Sequence, residues 1–89
     1  MAFLPAPSES FEKELGKLSA KNPVLKKAVK GKLEEILEDP FRFKPLKAPL
    51  QGFRRVHILK CFVLIYRINE AEKTVELVKI KHHDEAYEL

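Results

Sequence analysis

The sequence has few of the residues that build disulfide-bonded, metal-clustered or membrane-spanning proteins. Its 89 residues include one cysteine, three glycines and no tryptophan. The lone Cys61 excludes an internal disulfide and a cysteine-rich zinc site, and it favours a reducing, cytoplasmic location. The longest apolar run, Cys61 to Tyr66, is much shorter than the ~18 residues of a membrane span. The start, Met1 to Pro5, lacks the basic and hydrophobic regions of a secretory signal.

Acidic residues are absent from one long stretch of the chain. Between Pro40 and Asn69 there are seven basic residues and no Asp or Glu, which gives +7, and the remaining 10 basic and 13 acidic residues sum to −3. A basic stretch of this kind is typical of proteins that bind a polyphosphate partner. The alternative is a solvated loop followed by a strand with exposed basic side chains. Membrane binding is not predicted, because the basic residues do not lie on one amphipathic helix.

The first half of the chain has the hydrophobic spacing of helices. Ser8 is a suitable N-cap for a helix over residues 8–19, and Asn22-Pro23 is a start signal for a second helix that ends at Glu38. The proline-containing segment 40–52 is predicted to be an irregular connection.

The second half has the composition of strands. Three segments are rich in β-branched and aromatic residues and are separated by short turns, which predicts an antiparallel meander over 53–59, 62–68 and 74–80. Residues 2–6 can add an edge strand, the one position that Pro5 tolerates. We therefore predict a single α+β domain over residues 1–89, with two N-terminal helices packed on one face of a small, mainly antiparallel sheet of three to four strands.

One predicted strand carries a cation beside an imidazole. Alternation along the strand directs Val56 and Ile58 towards the helices and leaves Arg55 and His57 on the open face. An arginine can hold phosphate oxygens, and a histidine can transfer protons near neutral pH. The alternative is that both are ordinary polar residues of a solvent-exposed face.

The C-terminal segment contains two adjacent histidines. His82 and His83 cannot share a strand face, so at most one of them can join His57. Tyr87 follows His83 by four residues, which brings the two together if the tail turns helically. No metal site is predicted, because the spacing of these residues matches no established ligand pattern. The alternative is a frayed polar terminus.

The order of these segments resembles a known family. Two helices, the segment Leu50 to Ile58, the strand Phe62 to Ile68 and the ending His83 to Tyr87 are similar to the RelE/ParE toxin superfamily, and most of all to the YafQ-type mRNA interferases. The resemblance implies a RelE-like fold and a toxin that cleaves mRNA, typically on the ribosome, until a cognate antitoxin inhibits it. It also implies that His83 is the general acid and that His57, Arg55 and Tyr87 belong to the catalytic site.

Metal-free RNA cleavage explains this set of residues chemically. One group must take the 2′-hydroxyl proton, another must protonate the leaving 5′-oxygen, and cations must stabilise the charge that develops on the phosphorus. We assign His83 as the acid, His57 as the base or a phosphate-orienting group, and Arg55 with Lys60 or Lys81 as charge stabilisers. Tyr87 would orient the phosphate or stack on a base, and no cofactor is needed. The predicted RNA-binding residues are Arg54, Lys60, Phe62, Arg67, Lys81 and Lys47, although Phe62 could equally fill the core.

Two further hypotheses need no catalysis. The chain could be a ParE-like inhibitor of gyrase or a degenerate member that only binds its antitoxin, since Cys61, Phe62 and Val63 replace residues of the family's active-site pattern. It could also be a plain RNA-binding module.

Overall fold

The described part of the chain folds into two helices and four strands. A computed structural model describes residues 3–48 and 52–83 of the chain. Its helices and strands are β1 (Leu4–Pro7), α1 (Glu9–Lys21), α2 (Pro23–Glu38), β2 (Arg54–Ile58), β3 (Phe62–Asn69) and β4 (Thr74–His82), with a 3₁₀ turn at Pro40–Arg42. The helices lie on one face of the sheet, so the predicted fold class is confirmed.

Local signals in the sequence explain where the helices begin. The Ser8 hydroxyl accepts a hydrogen bond from the backbone N–H of Phe11 at 3.0 Å, as an N-cap does. Pro23 occupies the first turn of α2, where its missing N–H costs nothing, while the side chain of Asn22 makes no capping bond. Asp39 ends α2, and its carboxylate accepts from the N–H of Phe41 in the 3₁₀ turn.

The sheet has the strand order β1-β4-β3-β2. Strands β2, β3 and β4 form the predicted antiparallel meander, with a register shift between Ile65 and Tyr66. Strand β1 pairs in parallel with β4 and lies at the edge of the sheet, which accommodates Pro5 and Pro7. Strand β2 is the opposite edge, and its outer side bonds to the connection: the N–H of Arg55 donates to the Lys44 carbonyl at 3.2 Å, and the N–H of Leu46 donates to the Phe53 carbonyl at 2.9 Å.

The main core lies between the helices and the sheet. Its fully buried members include Leu25 and Ile36 of α2 and Leu64, Tyr66 and Ile80 of the sheet. The Tyr66 hydroxyl donates to the Pro40 carbonyl at 2.6 Å, and burial raises the pKa of this phenol to about 12. That bond ties the 3₁₀ turn to the middle of the sheet. No helix in the part of the chain that the structure describes is long and apolar enough to cross a membrane.

Candidate active site

The sheet face opposite the helices carries two rows of side chains. Register aligns His57, Val63 and Lys81 across β2, β3 and β4, and it aligns Arg55, Ile65 and Lys79 in the next row. Val63 and Ile65 in the middle are fully buried and form a small cluster with Phe53. In each row, an aliphatic residue of β3 therefore lies between side chains of β2 and β4 that can carry a positive charge. The predicted orientation of Arg55 and His57 away from the main core is confirmed.

The imidazoles of His57 and His83 lie together at one end of this face. Their ring centroids are 5.5 Å apart and the rings are nearly parallel, at 28°. Since each proton transfer needs a heavy-atom distance of about 2.6–3.2 Å, two rings at this separation can reach one phosphodiester group. The structure thus brings together two residues that are 26 positions apart in the sequence.

The turn between β2 and β3 holds this pair in place. The backbone N–H of His83 donates to the Cys61 carbonyl at 2.6 Å, which ties the end of β4 to the turn. Leu59 and Lys60 both have positive φ, 54° and 71°, a conformation that costs about 1–2 kcal/mol for a residue with a Cβ. Pairing of Ile58 with Phe62 maintains the turn in spite of this cost.

The neighbouring His82 lies on the other side of the strand. Its ring contacts Phe62 edge to face, with 5.9 Å between the centroids. Only one of the two adjacent histidines therefore joins His57, as the alternation predicts. Phe62 is 9% exposed and belongs to the main core, which is the alternative that the sequence left open for this ring, and RNA binding by Phe62 stays a prediction. The alternation that directs His57 outward directs Phe62 inward.

Electrostatics favour a neutral His57. Desolvation by its surroundings, then the positive charges of Arg55 and His83, lower the pKa of His57 below its ordinary value of 6.5. At pH 7 the ring is therefore mostly unprotonated and able to accept a proton. This is the protonation state that a general base requires.

Arg54, which was predicted to bind RNA, makes structural contacts with the connection. Its Nη1 donates to the carbonyls of Phe41 at 3.2 Å and Phe43 at 2.7 Å, and its guanidinium lies 5.5 Å from the Phe41 ring. Arg54 alternates with Arg55 and so points to the helix side of β2, where it fastens the connection to the sheet. RNA binding by Arg54 stays a prediction, now for a guanidinium that also bonds to the connection.

Three of the other cations share their charge with carboxylates. Arg67 Nε lies 2.7 Å from Glu76, Lys81 Nζ lies 2.9 Å from Glu14, and the guanidinium of Arg42 lies 3.7 Å from Glu35. All three acids come from outside the stretch 40–69, so the +7 of that stretch is not the charge of one surface. RNA binding by Arg67 and Lys81 stays a prediction, now for cations that are partly neutralised.

The remaining predicted residues have different positions. Lys60 is exposed in the turn beside His57, and Lys47 is exposed in the connection. Tyr87 and Asp84 lie outside the described residues. Lys79 and Phe53 also lie on this face and were not predicted to do so. Alternation was the available signal, because Lys79 is two residues from Lys81 and Phe53 is two residues from Arg55. Within residues 3–48 and 52–83, no group of three or more His, Cys, Asp or Glu side chains could hold a metal ion.

Comparison with known proteins identifies the family. Residues 7–87 match the sequence model of the ParE toxin family, described as the ParE toxin of the type II toxin–antitoxin system parDE. The chain belongs to this family. A Methanocaldococcus jannaschii protein named RelE4 is 45% identical over 78 residues, which are 88% of this chain and 83% of that protein. The resemblance to the RelE/ParE superfamily is confirmed.

Solved structures of toxins have the same fold. The RelBE2 toxin–antitoxin complex of Mycobacterium tuberculosis contains a chain with TM-score 0.78 and 23% identity, over 93% of this chain and 100% of that one. YafQ of E. coli has TM-score 0.75 and 18% identity, over 93% and 96%. A metal-bound toxin of Helicobacter pylori has TM-score 0.70 and 29% identity, over 96% and 99%. The histidine pair therefore lies on a scaffold that these toxins share.

Proposed function

We propose that this toxin is an endoribonuclease that cleaves mRNA, on the ribosome and in the cytoplasm, and that a cognate antitoxin inhibits it. The observation that supports catalysis is the pairing of His57 with His83 at 5.5 Å on an open sheet face. Arg55 is on the same face, two residues from His57, and its charge contributes to the lowered pKa of His57. A base, an acid and a cation are thus available around one phosphodiester.

The reaction uses the RNA's own 2′-hydroxyl as the nucleophile. Neutral His57 takes the 2′-hydroxyl proton, the 2′-oxygen attacks phosphorus, and protonated His83 gives its proton to the departing 5′-oxygen. Arg55 stabilises the negative charge on the phosphorane, and Lys60 in the adjacent turn adds a second positive charge. The products are a 2′,3′-cyclic phosphate and a 5′-hydroxyl, and DNA is not cleaved because it lacks the nucleophile. Tyr87 would orient the phosphate or stack on a base.

The antitoxin proposal follows from the family description of a type II toxin–antitoxin system. An acidic amphipathic helix would complement a face with Arg55, Lys79 and an apolar centre. Titration calorimetry with the protein encoded by the adjacent reading frame should give a complex and suppress cleavage. Absence of any complex would contradict the pairing.

The test of catalysis compares three histidine variants. His57→Ala and His83→Ala should each reduce cleavage by about 10²–10⁴-fold, the usual contribution of one proton-transfer group. His82→Ala is the matched control, because that ring lies on the opposite side of the strand, and it should retain cleavage. The measurement is mapping of 5′ ends on ribosome-bound transcripts after induction, with purified protein assayed with and without EDTA for metal dependence.

Full cleavage and growth inhibition by both His57→Ala and His83→Ala would contradict this assignment. A second candidate, a ParE-like inhibitor of gyrase, is favoured by the ParE description of the family. It predicts intact transcripts together with DNA damage, and no dependence on His57 or His83. Loss of activity on addition of EDTA would replace the metal-free mechanism with a metal-dependent one.

A further inference from the structure

A second feature of the molecule lies at the end of the sheet away from the histidines. A cavity of about 480 Å³ lies there, within the size range of small-ligand sites. The connection, the start of β2, the end of β3 and the start of β4 form its walls, and its lining includes Phe41, Phe53, Arg67, Asn69, Glu70 and Glu76. The catalytic proposal uses none of the aromatic or acidic members of this set.

Flat surfaces of two kinds line the cavity. The guanidinium of Arg67 lies 5.6 Å from the Phe53 ring, and the guanidinium of Arg54 lies 5.5 Å from the Phe41 ring. Phe41 is 48% exposed although it is a large apolar residue. Unpaired RNA bases stack on aromatic rings and on guanidinium planes of this kind.

The charge of the lining selects a base and not a phosphate. Arg67 is already paired with Glu76 at 2.7 Å, and Glu70 adds a further carboxylate. Glu70 and Glu76 balance the charges of Arg54 and Arg67, so the lining has no net positive charge to attract a phosphate group. The two carboxylates can accept hydrogen bonds from the amino groups of adenine, cytosine and guanine, whereas uracil has no amino group and presents carbonyl oxygens.

The position of the cavity relates it to the cleaved bond. Phe53 precedes His57 by four residues of nearly extended chain, a distance of roughly 13 Å at ~3.3 Å per residue. A single strand of RNA covers this distance in a few nucleotides, and Arg55 lies between the two points on the same face. A strand that follows β2 would therefore pass over a cation on its way from one site to the other.

We propose that this cavity is a base-binding subsite that selects an amino-bearing base a few nucleotides from the phosphodiester that His57 and His83 cleave. This inference rests on the proposed endoribonuclease function and adds a sequence preference to it. The chemistry of the lining specifies the ligand class, an unpaired nucleobase of the substrate RNA.

Binding of uncleavable RNA tests the subsite separately from catalysis. The probes are short 2′-O-methyl oligomers of adenosine, cytidine and uridine, measured by fluorescence anisotropy. The adenosine and cytidine oligomers should bind more tightly than the uridine oligomer. Glu70→Gln should reduce that discrimination, while Glu72→Gln, an acidic residue of the same turn outside the cavity lining, should preserve it.

Substitution of the ring tests stacking. Phe53→Leu should weaken binding by about tenfold, the order expected for loss of one base–aromatic stack. In cleavage assays it should raise KM and leave kcat unchanged, because the histidines are untouched. Phe53 also packs on Val63 and Ile65, so Phe53→Tyr, which keeps the ring, serves as a second variant and should bind like the unsubstituted protein.

The outcomes separate the two proposals. Unchanged affinity in Phe53→Leu and unchanged discrimination in Glu70→Gln, in a protein that cleaves RNA, would overturn the subsite and leave the nuclease intact. Base-dependent binding by a protein that cleaves no RNA would support the subsite and contradict the nuclease. A protein that binds none of the oligomers yet cleaves ribosome-bound transcripts would overturn the subsite and leave the nuclease intact.

Discussion

The two faces of the sheet differ in what they pack against and in what they can do. The face towards the helices contributes Leu64, Tyr66 and Ile80 to the large core. Within residues 3–48 and 52–83, the opposite face has two fully buried aliphatic residues, Val63 and Ile65, and Phe53 is the one partly buried hydrophobic residue that packs against them. The first face therefore supplies most of the stability, and the second has room for polar side chains of use in binding and chemistry.

Two adjacent arginines demonstrate the consequence of this difference. Arg54 and Arg55 have the same chemistry, yet Arg54 bonds to two carbonyls of the connection while Arg55 lies beside His57 on the open face. Because successive side chains of a strand point to opposite faces, one position along the chain separates a structural cation from a candidate catalytic one. Amino-acid composition alone does not distinguish the two arginines, because it counts each as one positive charge.

The largest expected effect is a difference in the loss of stability between truncations on the two faces of the sheet. Ile80→Ala should lower the free energy of unfolding by about 2–5 kcal/mol, as expected for truncation in a closely packed core. Ile65→Ala removes the same atoms from a position that is equally buried, on the neighbouring strand. Ile65→Ala should lower the free energy of unfolding by an amount at or below the low end of that range. The reason is that long basic side chains on the open face can move into the space that the truncation leaves. Chemical denaturation of both variants measures the difference.

Equal losses of stability in Ile80→Ala and Ile65→Ala would show that the open face is a second full core. The comparison between faces would then fail. Val29→Ala, at a buried position on α2, is a control for the helix side. It should also be destabilising, though less than Ile80→Ala, because fewer buried atoms are removed.

Much of the fold could be predicted because its signals are local. The cap at Ser8, the proline at the start of α2 and the alternation along β2 depend on neighbouring residues, and the structure has helices and strands within about two residues of the predicted bounds. The pairing of His57 with one C-terminal histidine was also predictable, since alternation admits only one of two adjacent side chains.

The contacts of the cations were not predictable in the same way. Glu14 meets Lys81 across 67 positions of sequence, and Glu76 meets Arg67 across a strand pair whose register the sequence does not specify. Such long-range pairing determines which cations carry a net charge at the surface. The orientation of Arg54, by contrast, is predictable, because Arg54 and Val56 are two residues apart on a strand and therefore point to the same face.

A smaller loss of stability is expected from substitution of either Arg42 in the connection or Arg54 in β2. Arg54→Gln should lower stability by about 1.5–3 kcal/mol, because hydrogen bonds from a charged donor to two carbonyls are lost. Arg42→Gln is the matched control: its surface ion pair with Glu35 is worth at most about 1 kcal/mol. The folded Arg54→Gln protein should still cleave RNA, whereas Arg55→Gln should not. If Arg54→Gln were as stable as the unsubstituted protein, the hydrogen bonds from Arg54 to the connection would not contribute to stability.

The smallest effect is on the titration of His57. Arg55→Gln removes a positive charge, so the pKa of His57 should rise, yet it should stay below 6.5 because desolvation is the larger cause of its depression. NMR titration of the imidazole measures this, with Lys60→Gln as the control for a nearby exposed cation.

The sign of the corresponding stability effect follows from proton binding. Below pH 6.5 the unfolded chain binds a proton at His57 more readily than the folded protein does, so stability falls as the pH drops through the folded pKa, and the penalty is absent above pH 6.5. Arg55→Gln should reduce this acid penalty. Added salt should raise the pKa of His57 in the unsubstituted protein more than in Arg55→Gln, because salt screens the charge of Arg55 and leaves the desolvation unchanged. If salt changed the pKa of His57 equally in both proteins, Arg55 would not act on His57 through its charge. The candidate base and the candidate phosphate-binding cation of the open face would then not be coupled electrostatically.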